Sequence, residues 1–388
     1  MSTLAATSAA RQLFICAFIW NLGLGMTYPL IPLYADSLGM SGVTIGALIA
    51  LPVVLQITFN LVGGAFTDRI GGRTMVRISC LLMAAGATAY SLAGSFAALM
   101  VAQIMMVMSR AIFWPASWTI AGTLAGDRGI QMSRLNLMTN TGQIAGTFLA
   151  GFMITWAGFS WSFLALAAVA ATALAAMLHN QGVAHAAPSG RFAPLARYAR
   201  LIRLRAMWFA IMCAYVSALP FSLSVSFYPL LFDAYGYSHE LNGSILALRG
   251  AGAAIAGLVA ARLLDFSMKG LVAFGSASMV AIGIAGAGAT ANLFAGGALL
   301  FAVGLGSGLM SLNFQMLIGD ISSPEDRGSA NALGGLGWGL SHFTTPLLMG
   351  VLRDRHGIEA AFLALGTVVV FWSFALLLVH RWAFARPT

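Results

Sequence analysis

Twelve long apolar stretches, joined by short polar connections, run through the whole sequence. A helix needs about 20 mostly apolar residues to cross the hydrocarbon core of a bilayer. Because hydrocarbon offers no hydrogen-bond partner, such a stretch must satisfy its own backbone, and it therefore forms a helix. The sequence thus predicts an all-α membrane protein with twelve transmembrane helices. The predicted spans are 12–34, 43–66, 75–94, 97–124, 132–157, 161–179, 207–231, 241–264, 270–290, 293–318, 330–351 and 359–381.

Composition excludes a soluble globular domain. Hydrophobic residues make up 60% of the 388 residues, and charged residues only 8%. Soluble domains average about 45–50% apolar and about 25% charged residues, so this chain has too little polar surface to face water on all sides. The formal charge of +9 would indicate a nucleic-acid partner in a soluble protein. Here the positions of the cations explain the charge, and we expect no nucleic-acid partner.

The lysines and arginines concentrate on one side of the predicted membrane. When the connections alternate sides, sixteen of the 20 cations lie on one side, and the other side holds only Arg353 and Arg355. The remaining two, Arg110 and Arg249, fall inside spans. Because cationic loops mark the cytoplasmic face, we expect both termini in the cytoplasm. The sequence therefore predicts a multi-pass protein of the bacterial cytoplasmic (inner) membrane.

A basic segment from His179 to Arg205 divides the spans into two groups of six. We therefore expect an N-terminal six-helix half (1–180), a cytoplasmic basic linker (181–206) and a C-terminal six-helix half (207–388). The part of the linker that begins at Leu195 is either a basic amphipathic helix on the anionic inner leaflet or a solvated connection. A shift of 197 positions places "PLYADSLGMSGVTIGALIAL", from Pro32, over "PLLFDAYGYSHELNGSILAL", from Pro229. These ordered matches indicate a parallel repeat, an arrangement known in secondary transporters.

The connection between spans two and three reads GGAFTDRIGGR. At this motif the chain resembles the major facilitator superfamily, whose pattern is close to G-x-x-x-D-R-x-G-R-R/K, with Gly72 as the one departure. The resemblance implies the major facilitator fold of two six-helix halves and a gating loop that is made in one conformation and broken in the other. The alternative is a loop that only fixes topology. The residues of the predicted gating loop are Gly64, Asp68, Arg69, Gly71 and Arg73.

Arg110 lies in the middle of the fourth span, in the sequence MVMSRAIFWPASWT. An arginine inside a membrane span costs at least about 2.5–3.5 kcal/mol and indicates a functional site. Residues four apart share one face of a helix, so Trp114 and Trp118 lie on the same face as Arg110. A cation beside two large aromatic surfaces favours an anion with an apolar or aromatic body. The alternative is a structural arginine that binds the carbonyl groups of a helix end.

Two further residues inside spans, Arg249 and His342, can carry a positive charge. Arg249 lies in span eight among glycines and alanines, and it either faces a cavity or extends toward the outer surface. His342, in span eleven, either carries protons as a relay or is a packed histidine with one hydrogen bond. No aspartate or glutamate lies deep in any span. This pattern favours a neutral or anionic substrate over a cationic drug.

The family resemblance also implies which helices surround a central cavity, namely the first, fourth, seventh and tenth. Ordinary hydrogen bonds between helices are the alternative role for each polar residue there. The full predicted substrate cavity consists of Arg110, Trp114, Trp118, Asn21, Tyr28, Tyr228, Arg249 and Asn313, with His342 as the predicted proton relay.

The leading functional hypothesis is a secondary active transporter that works by alternating access. It exports an amphipathic or anionic metabolite or drug, as in the efflux branch of the family, and an organic-anion importer is the alternative. A transporter-like sensor and an intramembrane enzyme are hypotheses of another class, and no HExxH or GxSxG motif supports the enzyme. We expect no metal and no cofactor. The expected partners are a small-molecule substrate, membrane lipid and protons as coupling ion, and we expect a monomer.

Overall fold

The computed structural model describes residues 3–59, 70–178, 195–263, 269–323 and 326–384. Within these ranges the chain is helical and contains no strand. A further helical stretch, 53–59, follows α2. The helices are α1 (Thr3–Ser37), α2 (Gly42–Ala50), α3 (Gly72–Leu92), α4 (Phe96–Thr123), α5 (Arg128–Leu178), α6 (Leu195–Ile202), α7 (Arg205–Ser224), α8 (Tyr228–Ala234), α9 (His239–Leu263), α10 (Lys269–Ala289), α11 (Leu293–Ile321), α12 (Arg327–His356) and α13 (Ile358–Phe384).

The predicted class, an all-α membrane protein, is confirmed. In the described part of the chain, ten helices are long and apolar enough to cross a membrane. One of them, α5, has 51 residues and consists of two helices that meet at Gly158. This is more than twice the roughly 20 residues that one crossing of a hydrocarbon core needs. Gly158, with φ 75° and ψ 175°, interrupts α5 between predicted spans five and six.

Prolines divide two of the predicted spans. The seventh span was predicted as one helix over 207–231, but α7 ends at Ser224 and α8 begins at Tyr228, with Pro229 in its first turn. Proline lacks the N–H that a helix interior requires and is tolerated in the first turn, so the chain restarts its helix there. In the second span, α2 ends at Ala50 and helical structure resumes at residue 53, after Pro52.

The chain forms two compact units. Unit 1 comprises Met1–Tyr34, Pro52–Phe192 and Ser238–Gly243, and unit 2 comprises Ala35–Leu51, Ala193–Tyr237 and Ser244–Thr388. Helix α2, from the first half of the sequence, therefore belongs to unit 2. The first turn of α9, from the second half, belongs to unit 1.

In unit 1, close backbone contact fixes α1 against α5. A Cβ atom at Gly146 would overlap the backbone oxygen of Leu22, and one at Gly25 would overlap the backbone oxygen of Gln143. Small residues allow this approach between membrane helices. The contact fixes the position of α1 along α5, and with it the level at which the polar residues of α1 face α5. Elsewhere in the unit, α3 and α4 are joined by two hydrogen bonds between Ser79 and Ser109, in which each hydroxyl donates to the other backbone oxygen at 2.8 and 2.7 Å.

In unit 2, α2 is attached to the end of α12 by the side chain of Asp354. Its two carboxylate oxygens accept hydrogen bonds from the backbone N–H groups of Gly42, at 2.6 Å, and Val43, at 2.8 Å. The first N–H groups of a helix have no partner inside the helix, so Asp354 caps α2 from another helix. Arg353, the preceding residue, donates to Asp36 at 2.6 Å.

The short helix α6 is also attached to α12. Arg197 Nε lies 3.2 Å from Asp326 Oδ1, and Arg200 forms an ion pair with the other oxygen of the same carboxylate. Asp326 directly precedes α12. The second part of the predicted linker is therefore helical over Leu195–Ile202, and the part over 181–194 lies outside the described residues.

Candidate substrate-binding sites

The site in unit 1 is built around Arg110 on α4. Its guanidinium donates two hydrogen bonds to the amide oxygen of Gln56, from Nη2 at 2.8 Å and from Nε at 3.3 Å. Gln56 lies in the helical stretch 53–59. In the part of the chain that the structure describes, none of the ion pairs includes Arg110. A guanidinium stays protonated. Arg110 therefore carries a positive charge, and its described hydrogen-bond partner is neutral.

Aromatic rings continue this site along α4. The rings of Trp114 and Trp118 lie 5.8 Å apart, and Trp118 is 50% exposed. From α1, Trp20 stacks on Phe113 at 3.8 Å and meets Trp114 edge-on at 6.4 Å. Trp20 and Phe113 are fully buried. The result is an aromatic wall whose inner part is packed and whose outer part, at Trp118, is open.

Two predicted cavity residues of α1 belong to unit 1. Tyr28 is buried, and its hydroxyl accepts a hydrogen bond from the side-chain amide of Gln143 on α5. Asn21 is buried and donates to the backbone oxygen of Ala17 at 2.8 Å. Among the described residues, the side-chain oxygen of Asn21 has no hydrogen-bond partner. Asn21 therefore keeps one buried acceptor that a solute or a water would satisfy.

The site in unit 2 is centred on His342 of α12. Its ring stacks on Trp338 at 5.0 Å and packs against Phe221 at 5.0 Å. His342 Nδ1 lies 2.9 Å from the backbone oxygen of Trp338, and Trp338 Nε1 donates to Ser217 Oγ at 3.1 Å. The guanidinium carbon of the buried Arg249 lies 5.9 Å from the centre of the Phe221 ring. A titratable ring and a cation thus share one aromatic neighbour.

The other predicted cavity residues of unit 2 lie in packed surroundings. Tyr228 is fully buried against the rings of Phe232 and Phe362, and among the described residues its hydroxyl has no hydrogen-bond partner. Asn313 is fully buried and donates to the backbone oxygen of Lys269 at 3.1 Å. This bond attaches α11 to the first residue of α10.

The predicted gating loop is described only in part. Gly64, Asp68 and Arg69 lie outside the described residues. Gly71 precedes α3 with φ 91°, a conformation that glycine adopts without steric cost. Arg73 lies in the first turn of α3 and is half-buried. The gating role of this loop stays a prediction.

Several residues of these sites were not identified from the sequence. Gln56 and Gln143 are glutamines inside apolar spans, and a search for every polar residue in a span would have found them. The ring contact of Trp20 with Phe113 depends on tertiary packing. In unit 2, Trp338 lies four residues before His342 on α12, and the helical spacing would have indicated their contact. Among the described residues, no group of three His, Cys, Asp or Glu side chains is placed to hold a metal ion.

Comparison with known proteins gives both a family and a fold. The sequence matches the Major Facilitator Superfamily over residues 13–318 and over residues 211–387. Quinolone resistance protein NorA of Staphylococcus aureus is 24% identical over 151 residues, which are 37% of this chain and 38% of that protein. Multidrug resistance protein 2 of Bacillus subtilis (strain 168) is 27% identical over 157 residues, which are 39% of each chain. The chain thus aligns with about two fifths of the length of these relatives.

Solved transporter structures share the fold over nearly the whole chain. A single-residue mutant of the nucleoside transporter NupG has a TM-score of 0.83 at 13% identity, covering 97% of this chain and 100% of that one. A POT family transporter in complex with a thioalcohol-conjugated peptide has a TM-score of 0.75 at 15% identity, covering 97% and 96%. A bacterial homologue of the human lysosomal transporter Spinster has a TM-score of 0.76 at 12% identity, covering all of both chains. At these identities the likeness concerns the fold.

Proposed function

The chain belongs to the Major Facilitator Superfamily, and from that premise we propose that it exports a small amphipathic or anionic organic solute by alternating access. It is a transporter and not an enzyme. The proposal includes twelve membrane crossings, with the break at Gly158 separating two of them in α5 and with α12 as one more. It also places both termini in the cytoplasm, as the distribution of cations supports. The proposed location is the bacterial inner membrane, and the proposed state is a monomer.

The observation that carries the proposal is the charge of Arg110. Its described hydrogen-bond partner is the neutral amide of Gln56, and among the described residues no carboxylate forms an ion pair with it. A partly buried cation gains most from an opposite charge that arrives with the ligand, because water then screens the pair little. The rings of Trp114 and Trp118 beside it would receive the apolar part of the same solute.

Export is the direction supported by the relatives. NorA is a quinolone resistance protein and Multidrug resistance protein 2 is a resistance protein by name, and resistance by a transporter means removal of a compound from the cell. The alignment with each covers about two fifths of its length, so direction and substrate class remain part of the proposal. An organic-anion importer is the alternative, and transport into oriented vesicles distinguishes it.

We further propose that His342 carries the coupling proton. A carbonyl oxygen only accepts hydrogen bonds, so the contact of Nδ1 with the oxygen of Trp338 places the ring hydrogen on Nδ1. The neutral ring then has its lone pair on Nε2, which is the atom that would take up a proton. In this proposal the motif at Asp68 and Arg69 serves as the gating loop.

The test is transport into everted membrane vesicles with an imposed proton gradient. Naphthalene-2-sulfonate is the anionic probe, and naphthalen-2-yl-trimethylammonium has the same ring with a positive group. We expect wild-type vesicles to accumulate the sulfonate and Arg110→Ala vesicles to lose at least nine tenths of that uptake. Arg355→Ala is the matched control, because Arg355 is exposed at the end of α12. Full sulfonate uptake by Arg110→Ala would contradict the proposal, and uptake only by right-side-out vesicles would show import.

A further inference from the structure

Gln56 occupies the position where a substrate anion would meet Arg110. Both described hydrogen bonds of the guanidinium go to one atom, the amide oxygen of Gln56. A guanidinium has five N–H donors, so three of them have no hydrogen-bond partner among the described residues. Arg110 is also only partly shielded from the surface of the protein. The cation is therefore oriented by Gln56 and still has most of its donors available.

An amide and a carboxylate would affect this arginine differently. An amide oxygen fixes the direction of the guanidinium but carries no net charge, so the arginine keeps its attraction for anions. A carboxylate in the same place would form two parallel charge-assisted hydrogen bonds with the guanidinium and cancel the charge. The choice of glutamine over glutamate at position 56 thus decides whether the site keeps a net positive charge that attracts an anion or is electrically neutral.

We infer that Gln56 determines the charge class of the substrate, by holding Arg110 between transport cycles and giving way to the anionic group of the solute. This inference rests on the proposed function. A sulfonate or carboxylate makes a stronger bidentate contact with a guanidinium than an amide does, so the incoming anion replaces the amide oxygen. The glutamine is a specificity residue in this scheme, and the substrate takes over its hydrogen bonds.

The experiment compares ligand binding by the full-length purified protein and its variants. The shift of the melting temperature with increasing probe gives an apparent affinity for naphthalene-2-sulfonate and for naphthalen-2-yl-trimethylammonium. We expect Gln56→Glu to bind the sulfonate at least tenfold more weakly than the wild type and to bind the trimethylammonium probe more tightly. Gln56→Ala removes the competing oxygen, so we expect it to bind the sulfonate as tightly as the wild type or up to about fivefold more tightly.

Two controls keep the result interpretable. Gln12→Glu makes the same change of charge near the start of α1, at a residue without a described contact to Arg110, and we expect it to leave both affinities within about twofold of wild type. Melting temperatures without probe show whether each variant is folded. If Gln56→Glu does not fold, Gln56→Ala alone decides. A loss of sulfonate binding in Gln56→Ala would mean that the glutamine itself binds the anion, which would overturn the inference that the anion replaces the glutamine.

The outcomes separate this inference from the proposed function. Sulfonate binding that depends on Arg110 but is unchanged in Gln56→Glu would overturn the inference and leave the proposed function standing. Wild-type protein that shows no sulfonate-dependent stabilisation, or that shows it equally in Arg110→Ala, would overturn the proposed function and the inference together.

Discussion

The carboxylate of Asp354 is expected to hold α2 against α12, and Asp354→Asn tests this directly. Asparagine has the same shape but offers one oxygen and no charge. The change therefore replaces two hydrogen bonds to a charged acceptor, at 2.6 and 2.8 Å, by one hydrogen bond to a neutral acceptor. It also removes a negative charge from the N-terminus of a helix, where such a charge is favourable.

The size of the effect follows from these contacts. A hydrogen bond to a charged group contributes about 1.5–3 kcal/mol and a neutral one about 0.5–1.5 kcal/mol. Asp354 is exposed, so solvent screening reduces the difference, and we take a net loss of about 1–2 kcal/mol. Such a loss changes an equilibrium between attached and detached α2 by roughly 5–30-fold.

The assay is a distance distribution between spin labels at Leu51→Cys and Leu348→Cys. Both residues are exposed and both lie in unit 2, where Leu51 directly follows α2 and Leu348 lies on α12. The native Cys16, Cys80 and Cys213 are buried and react slowly. We expect the ratio of long to short distances to rise roughly 5–30-fold in Asp354→Asn, as a loss of about 1–2 kcal/mol implies. A distribution identical to that of the parent protein would refute the reasoning that Asp354 attaches the two helices.

Two other predictions concern the remaining parts of the sites. His342→Gln should lose the accumulation of sulfonate that a pH gradient drives, while it still binds the probe. The control His356→Gln, at an exposed residue at the end of α12, should keep both properties. Gradient-driven uptake by His342→Gln would contradict the relay proposal. Gly146→Ala places a methyl group against the backbone oxygen of Leu22 and should lower the free energy of unfolding by roughly 1–3 kcal/mol. Gly257→Ala is the control, because its new methyl group meets nothing within 4 Å. Equal denaturation curves for the two alanine variants would contradict the predicted clash of the Gly146→Ala methyl group with Leu22.

Hydropathy was sufficient to predict the class of this protein, because the length of an apolar stretch depends on the bilayer and not on neighbouring helices. It was not sufficient for the interruptions inside the spans. The division of the seventh span was signalled by Pro229, but a proline in a span either bends the helix or ends it, and packing decides which. The break at Gly158, in contrast, lies between the predicted spans 132–157 and 161–179, where hydropathy already placed a connection.

The candidate site was predictable where its residues share a helix. The spacing of Arg110, Trp114 and Trp118 placed them on one face of α4, and the two tryptophan rings do lie together. The partner of the arginine, Gln56, lies 54 positions away in the sequence, and no local pattern joins the two residues. The pairing of Arg353 with Asp36 was hidden for the same reason, although both residues are charges at predicted span ends.

The backbone contact at Gly25 and Gly146 has a consequence for how the substrate range of this protein can change over generations. Where backbone lies against backbone, even a methyl group is excluded, so α1 and α5 accept almost no variation at these two positions. The rings of Trp114 and Trp118, in contrast, are partly exposed and tolerate exchange for other large side chains. A mutational scan should therefore find new specificities arising from changes at Trp114 and Trp118, while Gly25 and Gly146 stay unchanged.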